Sequence, residues 1–151
     1  MTKAERARRL APAVWAGMLL CIALVATPAP FATLLVQDAG RVVGRIFAQE
    51  AYLSLGFGAV CLLLERRAAA SSQGETRLST SMLLALGALF CTVAGYFGLQ
   101  PMMAAAKSGQ GALSFGQVHA ISLVFFGAKT LCVLALAWRA TGPVSPAAPS
   151  S

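Results

Sequence analysis

From Leu10 to Gln37 the chain carries no charged residue, and from Leu78 to Ala106 it again carries none. Runs of this length leave few folds open. A helix needs about 20 mainly apolar residues to cross the roughly 30 Å hydrocarbon core of a bilayer. An uncharged helix on a soluble protein has no face to turn to water. Two further apolar blocks hold one charged residue each: Ile46 to Leu64 contains Glu50, and Phe115 to Trp138 contains Lys129. Soluble four-helix bundles also repeat apolar blocks, but their helices keep charges every turn or so. The block around Leu83, Leu84, Leu86, Leu89 and Phe90 has only Cys91 and Thr92 for polarity. The expected fold class is all-α, a polytopic membrane protein with four transmembrane helices in an antiparallel bundle.

The spans read as residues 11–26, 42–64, 78–99 and 115–138 of one transmembrane domain, 11–139. A basic arm precedes them over 1–10, and the tail 140–151, rich in proline and serine, reads as disordered. With 151 residues, of which 58% are hydrophobic and 11% charged, there is room for one domain and no separate soluble module. Pro28-Ala29-Pro30 is expected to break the first helix, since proline removes a donor and clashes with the preceding turn. Phe31 to Leu35 then either lies along the interface or re-enters as a short helix. The first block has a basic start and an apolar middle, as a signal peptide has. The prolines and the apolar run behind them favour a retained helix.

The net charge of +7 is a topology signal and not a nucleic-acid footprint. Lys3, Arg6, Arg8 and Arg9 precede the first block, Arg66, Arg67 and Arg77 lie between the second and third, and Arg139 closes the fourth. Only Arg41, Arg45 and Lys107 fall on the other side. The positive-inside rule then puts both termini in the cytoplasm. Cys21, Cys61, Cys91 and Cys132 fall one per block without metal-ligand spacing, so they read as polarizable packing residues.

Two sets of residues stand out. Gly40 and Gly44 before the second helix, and Gly87, Cys91 and Gly95 in the third, have the four-residue spacing that lets helix backbones approach closely. Glu50, His119 and Lys129 are ionisable at hydrocarbon depth, where such groups mark function or a specific partner. Helical phase puts Glu50, Ser54, Phe57 and Cys61 on one face of the second helix, and His119, Ser122, Phe126 and Lys129 on one face of the fourth. At 1.5 Å per residue the depths of Glu50 and Lys129 differ by only about 6 Å. The expected arrangement is a polar seam of Glu50, Ser54, His119, Ser122 and Lys129. Below Lys129 only Thr130 and Cys132 continue it, so the seam reads as a pocket facing outward and closed toward the cytoplasm.

No Ser/His/Asp arrangement, phosphate loop or paired-histidine motif occurs, so the chain reads as non-enzymatic, with no cofactor and no metal. The runs Pro28-Ala29-Pro30-Phe31 and Ala39-Gly40-Arg41-Val42-Val43-Gly44-Arg45-Ile46-Phe47, with Ser114-Phe115-Gly116-Gln117-Val118-His119-Ala120-Ile121-Ser122, resemble the transmembrane-protein-205-like family. That resemblance spans about Ala11 to Trp138. It implies a small four-helix membrane domain of unknown function, frequent in bacteria, with Gly40, Gly44, Phe47, Phe115, His119 and Ser122 as motif positions. The expected setting is the bacterial inner membrane. Its partners would be the lipid bilayer and either a larger membrane complex or further copies of itself. The expected role is a structural or accessory subunit, the alternative a small oligomeric carrier or channel for protons, ions or a small ligand.

Overall fold

The computed structural model describes residues 2–71 and 78–142; Gln73, Arg77 and most of the proline-rich tail lie outside them. It is all-helical: α1 is Lys3–Cys21, α2 Pro28–Thr33, α3 Val36–Ser71, α4 Thr80–Thr92, α5 Gln100–Lys107 and α6 Phe115–Thr141. A π-helical stretch, Ile22–Ala26, continues α1, and another, Val93–Gly98, continues α4. The chain thus makes four passes long and apolar enough to cross a membrane: Lys3–Thr33, Val36–Ala70, Thr80–Lys107 and Phe115–Thr141.

Local chemistry sets the helix starts. Thr2 caps α1 and Ser114 caps α6, and Glu5 and Gln117 reach back to the cap nitrogens as capping boxes. Ser79 caps α4 by accepting from the Met82 amide. The basic residues from Lys3 onward are themselves helical.

The prolines behave differently from expectation. Thr27 donates to the Ile22 carbonyl at 2.9 Å, closing a π-turn, and Pro28 then opens α2. The first-turn amides of a helix have no intrahelical partner, so prolines there sacrifice nothing. They start a helix where a break was expected, and the extended residue comes later, at Leu34. Gln100-Pro101 repeats the device, since Pro101 lies in the first turn of α5. At its other end α3 runs on through Glu65, Arg66 and Arg67 to Ser71, because arginine and alanine are strong helix formers. Its 36 residues span about 54 Å, well beyond the hydrocarbon core.

α1 packs against α3 and α6, and α4 packs against the same two. The order around the bundle is α1, α3, α4, α6. α3 and α6 therefore face each other across the diagonal, and their backbones make no close approach among the described residues. One end of the bundle carries Thr2, the last turns of α3 and the close of α6 (the terminal end). The opposite, distal end carries α2, α5 and the start of α6. The core cluster sits toward the terminal end, where Trp15, Leu19, Cys61, Ala88, Val133 and Leu136 are buried together. Leu24, Val25, Phe90, Val124, Leu131 and Trp138 are exposed, as side chains bound for lipid are. At the terminal end Arg8 donates to Glu65 at 2.6 Å, tying α1 to α3. One of the topology charges is thus also a structural tie.

Candidate functional site: a half-depth cleft over a buried ion pair

The diagonal gap between α3 and α6 is bridged by side chains at mid-depth. Lys129 Nζ lies 2.7 Å from Glu50 Oε1 and 2.8 Å from Oε2, and both residues are almost fully buried. Ser54, one turn beyond Glu50 and fully buried, donates to Glu50 Oε1. Trp15 of α1 donates from its indole nitrogen to Ser54 Oγ at 2.9 Å. The result is a continuous chain, Trp15 to Ser54 to Glu50 to Lys129, that links α1, α3 and α6. It leaves neither charge unpaired, as burial in a low-dielectric interior demands. Two ammonium hydrogens serve Glu50, and the Phe126 ring covers the cation, its centroid 4.9 Å from Nζ. The Trp15 ring stacks on Phe57, at 6.1 Å between centroids and 11° between planes.

Above this chain, toward the distal end, lies a cavity of about 820 Å³. Its walls come from α3, α6, α5, the π-helical continuation of α4, and Thr27 and Phe31 of the first pass, and Glu50 and Lys129 lie at its floor. From Gln37 to Glu50 along α3 the cleft is about 20 Å deep at 1.5 Å per residue. Below the floor comes the packed core, so the cleft is closed toward the terminal end.

The five expected seam residues separate into two groups. Glu50, Ser54 and Lys129 form the floor. His119 and Ser122 line the cleft but take no part in the chain. His119 is exposed and stacks on Phe115, centroids 5.9 Å apart, and Ser122 donates to the His119 carbonyl of its own helix at 2.7 Å. His119 precedes Lys129 by ten residues on one helix, about 15 Å of rise, which keeps it at the rim. Trp15 carries no sequence signal of its part in this chain. An indole donor has no periodicity, and nothing in α1 alone marks that it meets Ser54.

The glycines also divide. At Gly95 a Cβ would sit 2.4 Å from Phe125 Cβ, so the π-helical continuation of α4 lies close against α6 there. At Gly87 it would meet Cys132 Sγ at an ordinary 3.5 Å. Gly40 and Gly44 do not pack against a helix: a Cβ at either would meet nothing within 4 Å, and both line the cleft, as does Cys91. Spacing fixes which residues share a face but not what that face meets. The close approach that went unnoticed is Gly58, where a Cβ would lie 2.5 Å from Leu89 Cδ2. Gly95→Ala should therefore cost about 1–3 kcal/mol of stability, since Phe125 Cβ is held close to its backbone. Gly44→Ala should be near neutral. Thermal unfolding of both in one detergent checks the contrast, and equal losses would overturn it.

The model of a family described as a domain of unknown function, DUF4149, matches residues 10–112. That stretch takes in the α3 wall of the cleft, Glu50, Ser54 and Trp15, and stops before His119, Ser122 and Lys129. No curated protein and no solved structure matches the chain. With two thirds of its length on that model and a four-pass apolar bundle as its fold, this integral membrane protein belongs to the DUF4149 family.

Proposed function

We propose that this protein is a non-enzymatic accessory subunit of the bacterial cytoplasmic membrane that holds a small ligand in its distal cleft. Both termini lie in the cytoplasm in this reading, and the cleft opens outward. The observation that carries it is the closed floor. A pathway across the membrane needs polar groups over its whole length, and below Lys129 the diagonal is filled by Trp15, Leu19, Val133 and Leu136. The orientation rests on the basic residues, with Lys3, Arg6, Arg8, Arg9, Arg66, Arg67 and Arg139 at the terminal end against Arg41, Arg45 and Lys107 at the other. Kinship with the transmembrane-protein-205-like family is part of the same proposal, resting on the motifs around Gly40, Gly44 and His119. Association with a larger membrane complex fits the broad apolar faces of all four passes.

Proteoliposomes test it. Vesicles carrying the protein should show no proton or cation leak above empty vesicles. A leak abolished by His119→Ala would overturn the reading in favour of a carrier or channel, for which the ladder His119, Ser122, Lys129 is the starting material. For orientation, a cysteine replacing Ser108 should react with an impermeant reagent outside intact cells, and one replacing Gln73 should not. Labelling at Gln73 from outside would reverse the topology.

A further inference from the structure

The cleft has a charged rim, apolar walls and a side entrance, and these three features constrain its contents. Arg41 and Lys107 line it near the distal end. Asp38, the neighbouring carboxylate, is bound by Arg41 at 3.3 Å and does not line the cleft. Lys107 lies over the Phe115 ring, 5.6 Å from its centroid, and has no carboxylate partner among the described residues. Among the described residues the one carboxylate lining the cleft is Glu50, and Lys129 occupies both of its oxygens. The rim thus presents positive charge in excess.

Between rim and floor the walls are mainly apolar, with Val43, Phe47, Met103, Leu123 and Phe126 beside Cys91, Tyr96 and Ser122. Gly40 and Gly44 leave a smooth strip along α3, with room where side chains would otherwise stand. The entrance follows from the π-turn. Up to Cys21 the first pass packs on both α3 and α6, but Ile22–Ala26 and α2 stay beside α3, and their backbones make no close approach to α6 among the described residues. The backbones of α2 and α6 therefore leave the cleft open sideways near the distal end. Thr27 lines the cleft beside this opening, and Thr27 Oγ1 is a buried oxygen without a hydrogen-bond partner. Buried polar atoms are rarely left so.

We infer that the occupant is a single-chain anionic amphiphile. Its head sits against Arg41, Lys107 and the Thr27 hydroxyl, and its chain runs down the apolar walls to the Phe126 ring. This deepens the binding-subunit reading and rests on it. The volume of about 820 Å³ is that of a pocket for one drug-sized molecule, with room inside for one chain. The walls disfavour a soluble anion, which gains nothing from apolar burial, and the rim disfavours a cation. Entry is from the bilayer, with the head at the height of the lipid headgroups.

The test uses the full chain in nanodiscs of phosphatidylcholine, with cis-parinaric acid, a fluorescent long-chain carboxylate, as the probe. Octadecanoate should displace it, whereas octadecanol should compete about tenfold more weakly and butyrate not at all. Gly44→Phe places a ring in the cleft at a position where a Cβ meets nothing within 4 Å, and Gly40→Leu repeats the test with a smaller group. Each should weaken probe binding, by on the order of 100-fold for Gly44→Phe. Arg41→Gln combined with Lys107→Gln should weaken the carboxylate about tenfold and leave octadecanol unchanged.

Equal competition by octadecanol would overturn the anionic head, and equal competition by butyrate the chain. Undiminished binding to both glycine variants would place the probe outside the cleft and overturn the proposal. So would a two-chain phospholipid retained by the parent protein and lost from Gly44→Phe in native mass spectrometry. A leak in proteoliposomes overturns the binding-subunit reading itself, and the displacement pattern overturns only the choice of ligand.

Discussion

Lys129→Met is expected to destabilise the bundle by about 3–5 kcal/mol, and Glu50→Gln by a similar amount, because each leaves one buried group without its partner. The double variant should recover most of that loss. Two neutral side chains of similar volume fill the same diagonal with no charge left uncompensated, a replacement that is often neutral or stabilising. Lys129 alone should be the worse orphan, since among the described residues its ammonium has no acceptor but Glu50, whereas Glu50 keeps the Ser54 hydroxyl. Unfolding in mixed micelles, followed by loss of helical circular dichroism, measures all three. Losses that simply add in the double variant would mean that the two residues do not act as a pair.

The second large effect belongs to Trp15. It is fully buried, stacks on Phe57 and anchors the hydrogen-bond chain from the α1 side. Trp15→Ala should cost about 3–5 kcal/mol, chiefly through the cavity it leaves under the floor. Trp15→Phe keeps most of the volume and removes only the indole donor, so about 1 kcal/mol is expected. Ser54 still donates to Glu50 in that variant, and no buried donor is orphaned. The same micelle unfolding assay applies. A phenylalanine variant as unstable as the alanine one would assign the effect to the hydrogen bond and refute the packing account.

The four passes were legible because bilayer thickness imposes length and apolarity on each of them separately. The common depth of Glu50 and Lys129 was legible because helical rise is constant. The diagonal placement of their helices was not, since the ring order of α1, α3, α4 and α6 depends on which faces meet. The same ignorance hid the setting of Gly40 and Gly44, whose spacing is that of close-packed glycines while their surroundings are a void. The first pass continues through Pro28 and Pro30 because a π-turn hands the chain to a new first turn. That event depends on hydrogen bonding over five residues, and residue propensity does not report it. His119 shared a face with Lys129 and was read into the same seam, but a shared face fixes direction and leaves about 15 Å of depth between them.

The floor of the cleft also has an electrical consequence. Moving one elementary charge through a full membrane potential is worth about 2.3 kcal/mol per 100 mV. Glu50 and Lys129 sum to zero at mid-depth, so the resting protein holds no net charge within the field and should have no voltage-dependent conformation. An anion that keeps its head at Arg41 and Lys107 stays outside most of the field, and its affinity should ignore the potential. An anion carried down to Lys129 would traverse about half of it, worth roughly 1 kcal/mol per 100 mV. Ligand retention measured with and without an imposed potential thus reads out how deep the charge goes.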